Sequence, residues 1–332
     1  MKDFDIGSIL ISEEDYAAEM KRTVEPYIAA RREEFALSRE EGHPIYCVKY
    51  GADCPEAAVL ISHGFTESTE KYREIVYYFL KANLTVYVYD HCGHGRSYRL
   101  TENLSKVHVD SWERYAQDLL FVAHTAQDAC PALPLFLYGH SMGGAVAAAA
   151  ASLEPDLFGR VILSSPMIRP KTGSVPWFAA KMICAVCCAV GKSEDFVIGQ
   201  GEYRANGEPD DSATLSRARL EYYEELRRGE PLYQTNGATY SWLRNAARLN
   251  RYLQETACRR IRGPVLIFQA EDDAFVVNSE QDVFAEKLGK NTEARLIRVP
   301  GTRHEIFNAP VEVMEEYWRR VLAFYGSGRF SS

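Results

Sequence analysis

Residues 138–144 read Y-G-H-S-M-G-G, between an apolar run and an alanine-rich run. The apolar residues 133–139 predict a buried strand, and the small residues 142–153 predict a helix. A G-x-S-x-G motif between a strand and a helix is typical of a sharp turn that exposes the serine hydroxyl at the end of a sheet. The stretch therefore predicts Ser141 as a nucleophile, provided that the rest of the chain supplies a base, an orienting acid and an oxyanion site.

Strands and helices are predicted to alternate on both sides of this unit. Apolar runs predict strands at 44–50, 57–62, 84–90, 133–139, 159–165, 264–270 and 294–300. Helical patterns cover 12–37, 71–82, 111–129, 142–153, 279–288 and 310–325. Continuous apolar strands that alternate with helices indicate an α/β fold, with a mainly parallel sheet covered by helices on both faces.

The alternation stops between about residues 167 and 256, where the sequence is helical and mixed. We interpret this stretch as a helical cap inserted at the carboxyl edge of the sheet, where open α/β sheets bind their ligands. The predicted organisation is an N-terminal helical extension over 1–40, a first core part over 41–166, the cap over 167–256 and a second core part over 257–332.

Composition and charge limit the classes of function. The chain has 332 residues, 46% of them hydrophobic, which suffices for one large core. Its net charge of −8 argues against a nucleic-acid partner and against strong attraction to anionic membranes. No stretch approaches the roughly 20 apolar residues of a membrane span, and the first residues lack the layout of a signal peptide. We expect a cytoplasmic protein; the sequence predicts no oligomeric state.

Two clusters of potential metal ligands are interpreted as structural. Cys184, Cys187 and Cys188 lie in one apolar run without a second ligand pair, which favours buried reduced thiols over a zinc site. His91 and His94 lie in a glycine-containing loop with no carboxylate cluster to complete a site. We expect neither a metal nor a cofactor.

The residues that would activate Ser141 follow it in the sequence. A serine hydroxyl needs a histidine base held by a carboxylate, and on this fold the order is serine, acid, histidine. His304 is the one histidine beyond Ser141. The acid should follow the strand 264–270, where Glu271, Asp272 and Asp273 compete. Asp273 fits best because it lies in the turn a few residues past the strand, with Asp272 as the alternative.

The oxyanion of the tetrahedral intermediate needs two backbone donors. One expected donor is the N–H of Met142, directly after the nucleophile. The other should come from the loop after an early strand, where S-H-G-F-T-E-S follows the strand 57–62. That loop points to the N–H of Phe65.

The motifs together resemble those of a known family. They are H-G-F-T at 63–66, D-H-C-G-H-G-R-S at 90–97, G-H-S-M-G-G at 139–144 and G-T-R-H-E at 301–305. From about residue 45 onward the chain resembles the α/β-hydrolase superfamily, and more narrowly its monoacylglycerol lipase and bacterial lysophospholipase branch. The resemblance implies hydrolysis of a carboxylic ester of a single-chain lipid, with Ser141, Asp273 and His304 as the catalytic triad and with no cofactor.

Other functions on the same core stay open. A proline-releasing serine aminopeptidase needs acidic cap residues to hold a free amino terminus, and Glu221, Glu224 and Glu225 are candidates. A short-chain carboxylesterase on the same core is the other enzymatic alternative. A non-catalytic binding module should have lost a member of the triad, and none is missing here.

The cap segment Trp177–Val190 carries a single charge, Lys181, in fourteen residues. It can line an acyl channel, touch a lipid surface transiently or pack onto the core. In a channel, Met182 and Val186 would lie beside the acyl chain.

Overall fold

Strands and helices alternate along most of the chain in the structure, a computed structural model that describes residues 5–207 and 209–327. The strands are β1 (Arg32–Ser38), β2 (Pro44–Tyr50), β3 (Ala57–Ser62), β4 (Leu84–Tyr89), β5 (Lys106–Val107), β6 (Leu135–His140), β7 (Arg160–Ser164), β8 (Gly237–Ala238), β9 (Val265–Ala270) and β10 (Ala294–Val299). The helices are α1 (Tyr16–Glu19), α2 (Glu25–Ala29), α3 (Arg73–Lys81), α4 (Trp112–Ala129), α5 (Met142–Leu153), α6 (Trp177–Ala189), α7 (Arg217–Gly229), α8 (Tyr240–Tyr252), α9 (Cys258–Arg260), α10 (Asn278–Leu288) and α11 (Val311–Ser327). Within the described ranges, no helix is both long enough and apolar enough to cross a membrane.

The main sheet has eight strands in the order β1-β2-β4-β3-β6-β7-β9-β10. β2 pairs antiparallel with β1 and β4, and the other neighbours pair in parallel. Successive residues of β3 point into two different cores: Ala58 and Leu60 pack with α4 and α5, while Val59 and Ile61 pack with α3 and α11. The predicted parallel sheet with helices on both faces is confirmed.

The N-terminal helix prediction over 12–37, part of the expected helical extension 1–40, is wrong beyond Ala29. There α2 ends, and Arg32–Ser38 form the edge strand β1, paired antiparallel with β2. Phe35 and Leu37 pack against the core, while Ala36 between them is exposed. The charged residues of R-E-E-F-A-L-S suit a helix, but the period-two burial and the hydrogen bonds to β2 outweigh that local preference.

The chain between β7 and β9 forms the inserted helical cap and carries α6, α7, α8 and α9. Its strand β8 pairs in parallel with β5 of the first core part, which ties the cap to the core. Helical structure runs from Tyr240 to Arg260 through a π-helical segment, so the predicted cap limit at 256 lies inside a helix. The insertion follows the carboxyl end of β7, the same edge of the sheet at which Ser141 lies.

Candidate active site

Ser141 lies in a tight turn between β6 and α5. Its backbone has φ 53° and ψ −120°, a conformation that costs a non-glycine residue about 1–3 kcal/mol. Two backbone hydrogen bonds hold the turn: Ser141 N–H donates to Ser164 O at 3.0 Å, and Met167 N–H donates to Ser141 O at 2.8 Å. The strand–turn–helix setting expected for the G-x-S-x-G motif is present.

The glycines around Ser141 allow close approach of three backbone segments. A Cβ on Gly139 would lie 2.7 Å from the carbonyl oxygen of Gly143, at the start of α5. A Cβ on Gly143 would overlap the carbonyl oxygen of Ser62 in β3. Larger residues at either position would therefore push β6, α5 and β3 apart and move the serine.

The structure brings together the three residues predicted to form a triad. The Ser141 hydroxyl lies 2.8 Å from Nε2 of His304, which is in the loop after β10. The other ring nitrogen, Nδ1, lies 2.7 Å from Oδ2 of Asp273. All three side chains are buried. With Nδ1 protonated, Nε2 is free to accept the serine proton, as nucleophilic catalysis requires.

Asp273 is the carboxylate that meets the histidine, while its two acidic neighbours are exposed. Glu271 accepts a hydrogen bond from Gly301 N–H at 2.8 Å, away from His304. The other oxygen of Asp273 accepts hydrogen bonds from Phe275 N–H at 2.8 Å and from Val276 N–H at 3.0 Å. Burial alone would raise the pKa of Asp273, but His304 and these two N–H groups lower it. The carboxylate is therefore held ionised and oriented.

The two expected oxyanion donors border the turn. Met142 is the first residue of α5, so its N–H has no partner within the helix. Phe65 follows Gly64, whose N–H is held at 2.6 Å by the carboxylate of Glu67. Neither the N–H of Phe65 nor that of Met142 donates to any residue in the described part of the chain. Both are available for an oxyanion, and their role stays a prediction.

Beside the triad lies a cluster of three charged residues that the sequence did not predict. Lys71, largely buried, forms an ion pair with Glu67 at 3.0 Å and a second one with Glu305. Tyr72 also donates to Glu67, at 2.7 Å. Burial alone would lower the pKa of Lys71, but the two carboxylates raise it. Their positions in the sequence could have indicated these residues, because Glu67 lies two residues after Phe65 and Glu305 directly follows His304.

A cavity of about 420 Å³ opens over Ser141 and His304. Its lining includes the ion-paired residues Glu67, Lys71 and Glu305, which we call the charged cluster, and we call the part that they line the polar end. Apolar residues of the cap line another part, which we call the apolar end: Val175, Ala180, Ile183, Cys184, Val197, Tyr240, Trp242 and Leu243. The site thus offers separate surroundings for a polar and an apolar part of one ligand.

One face of helix α6 lines the cavity and another is exposed. The prediction that Met182 and Val186 lie beside the acyl chain is wrong, because both belong to the exposed face. Ala180, Ile183 and Cys184 line the cavity. Met182 and Val186 do not line the cavity and are 52% and 56% exposed. The helical period of 3.6 residues turns Met182 away from Ala180 and Cys184, and a sequence with a single charge gave no signal of which face is turned inward.

The potential metal ligands His91 and His94 lie side by side in the core, with ring centroids 6.3 Å apart. In the described residues, no group of three or more His, Cys, Asp and Glu side chains is arranged to hold a metal ion. His91 contacts Ser62 Oγ at 3.0 Å and Tyr89 OH at 3.2 Å, inside the core. Burial lowers its pKa well below the ordinary value, so the ring is held neutral.

The chain is similar to known proteins both in sequence and in structure. The family model Hydrolase_4, described as serine aminopeptidase S33, matches residues 53–310. Lysophospholipase L2 of Escherichia coli K12 is 28% identical over 283 residues, which cover 83% of this chain and 82% of that protein. Monoglyceride lipase of Homo sapiens is 26% identical over 293 residues, which cover 86% and 88%. A soluble variant of monoglyceride lipase from Saccharomyces cerevisiae matches in structure with a TM-score of 0.70 and 16% identity, over 90% of this chain and 96% of that one. The α/β-hydrolase fold is confirmed.

Proposed function

The chain belongs to the Hydrolase_4 family of serine hydrolases, and on that basis we propose that it hydrolyses carboxylic esters of single-chain lipids, such as monoacylglycerols or lysophospholipids. The observation that carries the proposal is the hydrogen-bonded series Ser141–His304–Asp273 beside a largely apolar cavity, which Ser141 and His304 help to line. The curated relatives that match over most of their length, a lysophospholipase and a monoglyceride lipase, support it.

In the proposed mechanism His304 takes the proton of Ser141 as the hydroxyl attacks the ester carbonyl. The N–H groups of Phe65 and Met142 stabilise the oxyanion of the tetrahedral intermediate. His304 then protonates the leaving alcohol and, in the second half of the reaction, activates the water that releases the fatty acid. Asp273 holds the imidazole in the required tautomer and stabilises its protonated form.

The two ends of the cavity suggest how the substrate is oriented. An acyl chain gains free energy by leaving water for the apolar end under the cap. The alcohol then lies toward the charged cluster, where carboxylate oxygens and an ammonium group can bond its hydroxyl groups. A single-chain lipid satisfies both ends at once.

The aminopeptidase alternative is not favoured by the placement of its candidate residues. Glu221 pairs with Arg217, and Glu224 pairs with Arg227. Neither of these glutamates, nor Glu225, is among the residues that line the cavity. An incoming amino terminus would meet the charged cluster instead, whose carboxylates already share Lys71.

A hydrolysis panel tests the proposed function. The purified protein should cleave 1-dodecanoylglycerol, dodecanoyl lysophosphatidylcholine and the p-nitrophenyl esters of dodecanoate and butyrate, and should leave proline 2-naphthylamide intact. Release of fatty acid and of naphthylamine is measured under the same conditions. Cleavage of the naphthylamide without cleavage of the lipids would replace the proposal by the peptidase, and cleavage of butyrate esters alone would replace it by a short-chain carboxylesterase.

The outward face of α6 suggests how the enzyme reaches its substrate. Phe178, Met182, Val186 and Val190 are each more than half exposed, although all are apolar. Exposed apolar residues on one helix face are typical of a surface that dips into the lipid interface. We propose transient contact of this face with a membrane or micelle that contains the substrate. The cytoplasmic location expected from the sequence stays a prediction.

A charge introduced on one face of α6 or on the other distinguishes the lining of the acyl channel from the contact with lipid. Cys184→Glu points a carboxylate into the apolar end of the cavity, where an unpaired charge against hydrocarbon is unfavourable. Its kcat/KM for p-nitrophenyl dodecanoate should fall about 100-fold, while the butyrate ester should be nearly unaffected. Cys184→Gln, of the same shape but neutral, should lie between this variant and the wild type.

Val186→Glu is the matched variant on the outward face. It should cleave both soluble p-nitrophenyl esters like the wild type but hydrolyse monoacylglycerol in phosphatidylcholine vesicles more slowly. Equal losses for both chain lengths in Cys184→Glu, with an unchanged Tm, would contradict the acyl channel. Unchanged vesicle hydrolysis in Val186→Glu would contradict the lipid contact.

A further inference from the structure

Arg219 is a buried cation that joins three segments far apart in the sequence. It lies in α7 of the cap and is 2% exposed. Its guanidinium donates to both carboxylate oxygens of Glu74 in α3, at 3.0 and 2.9 Å. It also donates to the backbone oxygen of Ile11 at 2.6 Å. A buried charge is tolerated only when it is paired and hydrogen-bonded in this way.

The N-terminal segment completes the environment of this ion pair. The ring of Tyr16 lies 4.8 Å from the guanidinium carbon of Arg219, and its hydroxyl donates to Glu74 at 2.7 Å. The N–H of Ile11 donates to the hydroxyl of Tyr78 at 3.0 Å. Ile11 and Tyr16 precede position 53, where the family match begins. The junction is therefore built in part from a segment outside the shared family core.

The same part of the cap reaches the polar end of the cavity. Just before α7, the carbonyl oxygen of Ala213 accepts a hydrogen bond from Glu305 N–H at 2.8 Å, next to His304. Within α7, the ring of Tyr223 lies 5.1 Å from Nζ of Lys71. Displacement of α7 would therefore disturb two members of the charged cluster, Lys71 and Glu305.

We propose that Arg219 is a positioning residue: by fastening α7 to α3 and to the N-terminal segment, it holds the end of the cavity that receives the leaving alcohol. The assignment of that end to the alcohol rests on the proposed function. Arg219 does not touch the reacting atoms. Its effect should therefore appear with substrates whose alcohol contacts the charged cluster, and should be small with those whose leaving group needs no such contact.

Two esters with the same acyl chain isolate this effect. In 1-dodecanoylglycerol the leaving group is glycerol, whereas p-nitrophenyl dodecanoate releases a good leaving group that depends little on the polar end. Arg219→Met should lower kcat/KM for the glycerol ester about tenfold and for the p-nitrophenyl ester less than about threefold, because misplacement of a contact by a fraction of an ångström weakens catalysis. Arg219→Lys, which can still pair with Glu74, should recover part of the loss.

Companion variants separate positioning from folding. Arg219→Met with Glu74→Gln removes both charges, so no unpaired carboxylate is buried, and it should show the same selective loss as the single change. Arg217→Met, an exposed position of the same helix, should leave both esters unchanged. An equal loss for both esters together with a lowered Tm would show that Arg219 serves stability only and would overturn the proposal, as would wild-type kinetics in Arg219→Met.

Hydrogen exchange tests the junction without reference to activity. The amide of Glu305, which donates to Ala213, should exchange faster in Arg219→Met than in the wild type, by about tenfold. Unchanged exchange at this amide would overturn the positioning role. If the wild type cleaved neither ester, the proposed function would fail, while the exchange result would still decide whether Arg219 holds α7 against the histidine loop.

Discussion

Ser141→Ala is expected to abolish ester hydrolysis while leaving the protein folded. The hydroxyl lies within hydrogen-bond distance of His304, at 2.8 Å from Nε2. Without it no acyl-enzyme forms, and loss of such a nucleophile lowers kcat by on the order of 10⁶-fold. Alanine fits the turn because its Cβ replaces that of serine and the backbone hydrogen bonds to Ser164 and Met167 remain. Hydrolysis of p-nitrophenyl dodecanoate and the Tm of both proteins measure the two effects.

Ser165 supplies the matched control. It is also buried and also has a positive φ, 44°. Within the described residues, however, its hydroxyl has no hydrogen-bond partner, whereas that of Ser141 meets a histidine. Ser165→Ala should keep its activity, and a fluorophosphonate probe should label only Ser141. Labelling of another serine, or substantial activity in Ser141→Ala, would contradict the assignment of the nucleophile.

The parts of the fold that follow from local pattern could be predicted from the sequence. The apolar run before Ser141 and the small residues after it produce β6 and α5 because period and composition agree there with the tertiary structure. The acid could be chosen among three neighbours by its distance past the strand, since Asp273 lies three residues beyond the end of β9 at Ala270. Asp273 is the one whose carboxylate contacts the histidine.

The features that depend on distant partners could not be predicted. Most residues of strand β1 favour a helix, and the segment forms a strand because it pairs with β2. The inward face of α6 is set by where the cavity lies, since Lys181 is the single charged residue of that helix and apolar residues make up the rest of its surface. Glu67 lies only four residues before Lys71, but the other partner of Lys71, Glu305, is 234 residues away, and Glu74 is 145 residues away from Arg219. Charged residues are usually exposed, so burial of Lys71 and Arg219 was unexpected.

The second large loss of activity is expected in the Asp273→Asn variant, because of the contacts that Asp273 makes. In Asp273→Asn the side-chain oxygen can still accept the hydrogen bonds from Phe275 and Val276 that now reach Oδ1. The amide nitrogen then faces Nδ1 of His304, and because it donates a hydrogen bond, Nδ1 must be unprotonated. The proton moves to Nε2, which can no longer accept the proton of Ser141. We expect kcat to fall by about 10⁴-fold, the loss typical of such a tautomer change.

Asp272→Asn makes the same chemical change one residue earlier and serves as the control. Asp272 is exposed, and its backbone N–H, which the substitution leaves intact, donates to Thr302 O at 3.0 Å. Its kcat should change by less than about threefold, as for other exposed positions. Steady-state hydrolysis of p-nitrophenyl dodecanoate by both variants, with Tm values to verify folding, gives the comparison. If Asp272→Asn were the crippled variant and Asp273→Asn the mild one, the orienting acid would be Asp272. If both variants retained activity, a neutral amide at position 273 would be enough to keep His304 in the tautomer protonated at Nδ1. Catalysis would then not depend on a carboxylate partner of His304.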